Sequence, residues 1–227
     1  MLTIKRFIFN PFEENCWVVS NPEGEAVIVD PAYCCLEEKN SFYSAIEGLK
    51  VKAIFLTHGH IDHIYGLKDC QSHFGDVPTY FSEVDRDVAE KHRESMLRYG
   101  FRGVDLTFTS QNISDGETLK VIGCEWKVIS TPGHSPGSVC WYCESEKILF
   151  SGDTLFAGAI GRSDLYGGDY DSEIKSLMEK IIPLDGETKV YPGHGESTDI
   201  STERTSNPFL QPFNELSDDG SVDGISI

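Results

Sequence analysis

A chain of 227 residues with 39% hydrophobic and 11% aromatic residues has the apolar material for one large domain with a sizeable core, and its length does not force two. Its 37 acidic against 19 basic residues give a formal charge of −18, which repels phosphate backbones and anionic lipid; nucleic acid and membranes are therefore poor partners, and an anionic substrate needs a local basic group. No apolar run is long enough to span a membrane, Asn10 and Pro11 cut the N-terminal run too short for an export signal, and the seven cysteines are odd in number with Cys34 and Cys35 adjacent, so a cytoplasmic protein is expected.

The first third alternates short β-rich runs with turns: LTIKRFIF, NCWVVS, and EAVIVD ending at Asp30. A helix is expected over 36–49, where Leu36, Phe42, Tyr43, Ala45, Ile46 and Leu49 fall mostly on one face. The buried-type strand KAIFL follows, then THGHIDH, then a second helix from about Ile64 to Phe74. The charged segment 82–100 predicts a short helix with an exposed face. ETLKVIGCEWKVIST predicts two strands around a glycine turn, VCWYCESEKILFSGD a hairpin, 170–182 a helix, and TKVYPGHGE a last strand. CWYC has the C-x-x-C spacing of redox and zinc motifs, but positions i and i+3 of a strand face opposite ways, so Cys140 and Cys143 read as structural. Strand-rich halves, each followed by helices, predict two sheets packed face to face with helices outside. One domain is expected over 1–210, followed by an acidic flexible tail over 211–227.

The histidines mark the chemistry. THGHIDH places His58, His60, Asp62 and His63 directly after KAIFL. His134 lies in TPGHSPGS after KVIS, Asp153 in FSGDTLF after KILF, and His194 in VYPGHGE after TKV. In each case an apolar strand runs into a glycine-containing loop that offers metal-ligating side chains. Seven such groups suffice for two adjacent divalent ions with positions left open for water, if one carboxylate bridges them. Imidazole and carboxylate without cysteine suit zinc, iron or manganese. His73 and His92 stand outside the pattern and read as solvated or helix-end residues.

The set THGHIDH, PGHSPGS, SGDTLF and PGHG resembles the motifs of the metallo-β-lactamase superfamily. NCWVV, VIVDPA, GDTLFAGAIGRSDL and ERTSNPFL narrow the resemblance to its glyoxalase II (hydroxyacylglutathione hydrolase) branch, over residues 1 to about 210. The resemblance implies an α/β fold, a four-layer αββα sandwich with a binuclear site at the sheet edge. It implies that His58, His60 and His134 hold one ion and Asp62, His63 and His194 the other, with Asp153 bridging; zinc is the first expectation, iron or manganese the alternatives. The implied activity is hydrolysis of a small-molecule thioester of the hydroxyacylglutathione type by a metal-bridging hydroxide, which Asp62 orients or relieves of its proton. Asp30 is a candidate partner behind a ligand histidine, or simply a turn former at a strand end. The chain resembles the short form of the branch, lacking the C-terminal helical segment that contributes to glutathione binding in longer members. Arg162, with Tyr166 beside it, is the candidate contact for a substrate carboxylate; pairing of Arg162 with Asp164 or Asp169 is the alternative. Competing readings within the fold are a persulfide dioxygenase with one iron at His58, His134 and Asp153, and a lactonase. Charge disfavours a nuclease, and the absence of an export signal disfavours a secreted β-lactamase.

Overall fold

The computed structural model describes residues 1–75 and 77–211, so the acidic tail expected at 211–227 lies, except for Gln211, outside the described residues. The first sheet contains β1 (Thr3–Phe9), β2 (Glu14–Ser20), β3 (Glu25–Val29), β4 (Lys50–Phe55), β5 (Thr79–Phe81) and β6 (Gln111–Asn112), in that order across the sheet. β1 to β3 form an antiparallel meander, whereas β3 to β6 run parallel. Parallel neighbours require crossovers. These carry α1 (Leu36–Ala45), then α2 (Ile61–Ile64) and α3 (Leu67–Phe74), then α4 (Arg86–Met96).

The second sheet begins with β7 (Thr118–Val121), β8 (Cys124–Ser130), β9 (Val139–Cys143) and β10 (Ile148–Gly152). A small hairpin of β11 (Leu155–Phe156) and β12 (Ala159–Ile160) and the helix α5 (Tyr170–Ser176) follow; β13 (Lys189–Pro192), β14 (Thr198–Asp199) and α6 (Ile200–Ser206) close the fold. The order across this sheet is β14-β13-β10-β9-β8-β7, antiparallel except for the parallel pair β10–β13, which α5 connects.

The layers follow from side-chain alternation along strands whose two faces are both buried. Val27, Val29, Ala53 and Phe55 of the first sheet meet Trp126, Val128, Trp141 and Phe150 of the second in a central core. Phe55 and Trp141 stack there with ring centroids 3.9 Å apart. On the opposite face of the first sheet, Ile28 and Ile54 pack with Phe42, Ile61 and Leu67 of the helices. On the outer face of the second, Ile129, Leu149 and Val190 meet Leu177, Ile181 and Ile200. Three apolar layers between four layers of secondary structure make the expected αββα sandwich. The C-x-x-C cysteines divide as a strand requires, Cys140 in the outer cluster and Cys143 in the central one.

Local differences from expectation have local causes. α1 stops at Ala45, and Leu36 is 70% exposed rather than on the buried face. The helix expected from Ile64 to Phe74 is two pieces broken around Gly66, where a Cβ would lie 2.9 Å from both the Pro31 carbonyl oxygen and the Tyr33 ring. The helix expected over 170–182 is α5 extended by a wider π turn over Leu177–Ile181. Among the described residues, no helix is long and apolar enough to cross a membrane.

Candidate metal centre

The four ligand-bearing loops follow β4, β8, β10 and β13. Backbone bonds tie the two sheets together at these loops: Val139 donates to the Thr57 carbonyl at 2.9 Å, and Asn15 to the Gly193 carbonyl at 2.7 Å. His60 ends the extended segment after β4, and Asp62 and His63 sit on α2, so THGHIDH presents ligands from a loop and from the helix that follows.

All seven predicted groups converge. His60 Nδ1 lies 3.1 Å from His58 Nε2 and 2.8 Å from His134 Nε2. His63 Nε2 lies 3.3 Å from His194 Nε2, and His194 Nε2 lies 3.5 Å from Asp62 Oδ2. Asp153 stands between the two trios, with Oδ1 3.3 Å from His63 Nε2 and Oδ2 3.5 Å from His134 Nε2 and 3.6 Å from His194 Nε2. Ligands at about 2.0–2.1 Å from a tetrahedral ion are separated by about 3.3 Å, the scale of these spacings. Both trios qualify as sets of metal-competent groups.

The outward nitrogens decide what the inward ones can be. His134 Nδ1 faces the Arg162 carbonyl at 2.7 Å, and His194 Nδ1 faces the Phe12 carbonyl at 2.9 Å. A carbonyl only accepts, so in both rings Nδ1 carries a proton, and in the neutral ring Nε2 keeps the lone pair. His63 Nδ1 donates to Asp30 Oδ2 at 3.1 Å. Thr57 Oγ1 donates to the same oxygen at 2.6 Å and so accepts from His58 Nδ1 at 3.0 Å. In their neutral forms, the ones able to bind a metal, His58, His63, His134 and His194 therefore all turn an Nε2 lone pair inward. This is the outer hydrogen-bonding pattern of metal-ligating histidines. Asp30, with φ of 50°, holds the left-handed backbone uncommon for a non-glycine residue and aims its carboxylate at Thr57 and His63.

The carboxylates need a cation as well. Asp62 Oδ1 and Asp153 Oδ1 are buried without a hydrogen-bond partner, which is costly unless a positive charge faces them. Burial opposes the charge on Asp153, but His63 and His194 outweigh it and hold its carboxyl well below the ordinary carboxylate range. Asp62 is lowered as well: burial opposes its charge, and the hydrogen bond from His194 prevails. Burial also opposes charge on His63 and His194, yet Asp153 above all holds both imidazoles above their ordinary value. His58 and His60 are pushed well below it, by burial first and then by their histidine neighbours. The donor set thus fits two divalent ions.

Several residues of this machinery escaped the sequence reading. Asp85, fully buried, accepts from Gly59 N at 2.8 Å, Gly137 N at 2.6 Å and Ser135 Oγ at 2.6 Å, clasping the loop of His58 and His60 to that of His134. Glu173 Oε2 accepts from His134 N at 2.7 Å, and burial pushes its carboxyl up to about 8. A Cβ at Gly193 would run into Asp153 Oδ1 and lie 2.5 Å from His63 Cε1, so only glycine permits that approach. His92 is not the solvated residue expected: its ring centroid is 4.3 Å from that of His60, and its Nδ1 accepts from Ile61 N at 3.0 Å. The signal for it was helical spacing, because His92 shares the face of α4 that buries Val88, Ala89 and Met96. His73 is exposed near the end of α3, stacked on Tyr43.

The two predicted substrate contacts are placed differently. Arg162 forks onto Asp164 at 2.7 and 2.8 Å with its side chain 63% exposed, and the Tyr166 hydroxyl donates to Asp87 Oδ2 at 2.5 Å. Asp169, the other partner considered for Arg162, instead caps α5 by accepting from Ser172 N at 2.9 Å. What Arg162 gives the histidine cluster is its carbonyl, not its charge.

The profile of the metallo-beta-lactamase superfamily matches residues 9–194. Hydroxyacylglutathione hydrolase GloC of Haemophilus influenzae is 35% identical over 202 residues, 88% of this chain and 93% of that protein. The probable metallo-hydrolase YqgX of Bacillus subtilis is 34% identical over 214 residues, 92% and 98% of the two chains. Among solved structures, the BLEG-1 B3 metallo-beta-lactamase aligns with a TM-score of 0.82 and 36% identity, over 92% of this chain and 99% of that one. TTHA1623 in a di-iron-bound form aligns with a TM-score of 0.80 and 32% identity, over 91% and 100%. With these likenesses spanning nearly the whole described fold and its histidine–aspartate cluster, the chain belongs to the metallo-beta-lactamase superfamily.

Proposed function

We propose that the chain is a binuclear metal-dependent hydrolase of small thioesters of the hydroxyacylglutathione type. The observation that carries the reading is the pair of ligand trios meeting at Asp153, with four imidazole lone pairs turned inward by their outer hydrogen bonds. The thioester part is supported by the likeness to hydroxyacylglutathione hydrolase GloC over 93% of that protein. His58, His60 and His134 would hold one ion and Asp62, His63 and His194 a second, with Asp153 shared. Zinc, iron and manganese all suit these donors, and the di-iron form of TTHA1623 supports iron beside zinc.

Bound there, such a pair supplies Lewis acidity toward the acyl carbonyl and lowers the pKa of water. Asp62, its Oδ1 unpartnered, is the chain's own group for orienting water and accepting its proton. The departing thiolate needs little acid assistance, since a thiol ionises near pH 8.5. Arg162 would meet a substrate carboxylate by leaving Asp164, an exposed pair that costs only about 0–1 kcal/mol to separate, with Tyr166 as companion. Seven free cysteines and a charge of −18 support work on a small molecule in a reducing cytoplasm, away from nucleic acid and membranes.

The test is a substrate panel on protein of measured metal content: S-D-lactoylglutathione, other acyl thiols, a lactone, a β-lactam and glutathione persulfide. Two ions per chain and the fastest turnover on a thioester are expected. A loaded protein that leaves thioesters intact while opening the lactone or the β-lactam overturns the substrate class. A single iron with oxygen consumption on the persulfide overturns the hydrolase.

A further inference from the structure

His92 is a second-row histidine in position but carries an unused donor. A backbone N–H can only donate, so the 3.0 Å contact from Ile61 N requires a lone pair on His92 Nδ1. The neutral ring must then carry its proton on Nε2. Among the described residues, Nε2 has no hydrogen-bond partner, and it is not among the buried orphaned atoms, so it opens toward solvent. Neither trio of metal-competent groups includes His92, although its ring lies against that of His60, which does belong to one.

We propose that His92 Nε2–H is a substrate-contacting hydrogen-bond donor, aimed at the acyl oxygen of the ester or thioester held beside His60. The inference rests on the hydrolase reading above. Charge grows on an acyl oxygen as the carbonyl is attacked, and a donor fixed beforehand stabilises that charge without reorganising. α4 holds the ring through its buried face, and Ile61 N holds its tautomer, so both the position and the polarity of this donor are set before substrate arrives. The proton stays on Nε2 throughout; the contact is a hydrogen bond and not a proton transfer.

His92→Phe keeps a ring against His60 and removes both nitrogens, whereas His92→Gln keeps an acceptor for Ile61 N and a donor. With S-D-lactoylglutathione and p-nitrophenyl acetate as probes, His92→Phe is expected to lose about 10²-fold in kcat, with KM little changed and metal content equal to the parent protein. His92→Gln is expected to recover most of the loss. Unchanged kcat in His92→Phe, or a loss that only tracks lost metal, overturns the proposal, the latter because His92 would then merely prop His60. Independently of turnover, long-range 1H–15N spectra of the metal-loaded protein are expected to show the Nε2–H tautomer, and D-lactate is expected to shift that resonance. An Nδ1–H tautomer, or no shift with D-lactate, overturns the contact even where neither probe is hydrolysed. Failure of both probes with the tautomer and the shift intact counts against the hydrolase instead.

Discussion

Replacing Asp30 by asparagine should loosen both ions at once, although Asp30 belongs to neither trio. Its Oδ2 accepts from His63 Nδ1 at 3.1 Å and from Thr57 Oγ1 at 2.6 Å, and its Oδ1 accepts from Thr57 N at 2.8 Å. An amide nitrogen at the Oδ2 position faces the His63 N–H with another donor and drives the proton of that ring to Nε2, the ligating atom. It also donates to Thr57 Oγ1 and frees that hydroxyl proton to turn toward His58 Nδ1, which favours the reversed tautomer there as well. The opposite amide orientation sets NH2 against Thr57 N–H, so no rotamer satisfies the group. Loss of such an outer partner costs about 10–100-fold in metal affinity, or about 1.4–2.7 kcal/mol at 1.36 kcal/mol per decade. Thr57→Val removes the partner of His58 and one donor to Asp30 but leaves Asp30 facing His63, and should weaken chiefly one ion of the two. Chelator competition with metal counted per chain reads both outcomes. Affinities unchanged in Asp30→Asn would refute the claim that outer hydrogen bonds set the ligating tautomers.

The four imidazoles should make their largest joint contribution to the stability of the metal-free protein near pH 6.5. His63 and His194 are raised above their 6.5 reference, so the stability they contribute is complete below it and lost as pH rises through their folded values. His58 and His60 are depressed, so their contribution is present above 6.5 and lost as pH falls. Thermal midpoints without metal should therefore decline on both sides, and saturating metal should remove the alkaline decline; a metal-free midpoint that climbs steadily from about pH 6 to about pH 9 contradicts this. Gly193→Ala should lower metal content and turnover together, because the added methyl collides with Asp153 Oδ1 and crowds His63; full loading by elemental analysis counts against that. Arg162→Ala should raise KM for a carboxylate-bearing thioester while kcat and metal content hold, since the His134 contact is to a carbonyl that alanine keeps. A KM equal to the parent's would leave Arg162 as the local partner of Asp164. Trp141→Ala should cost about 3–5 kcal/mol in chemical denaturation by emptying the stack on Phe55.

Much of this protein is written in local sequence. Alternating and continuous apolar runs such as NCWVVS, EAVIV and KILF specify strands because their side chains alternate between two buried faces, and they led correctly to two sheets with helices outside. All seven convergent groups were visible too, since each metal-competent residue follows an apolar strand in a glycine loop. β6, β11, β12 and β14 were not visible, being two residues long, too short to show any period. Nor could the chain alone say that Asp30 controls His58 through Thr57, that Asp85 clasps two ligand loops across 52 positions to Gly137, or choose between Asp164 and Asp169 as the local partner of Arg162. His92 lay in between: its face on α4 was readable, but not what that face would meet. The difference is physical. Periodicity and loop chemistry act between neighbours in the chain and survive in the sequence, whereas tautomers, orphaned carboxylates and the donor on His92 depend on which atoms meet across two sheets, and only the folded structure decides that.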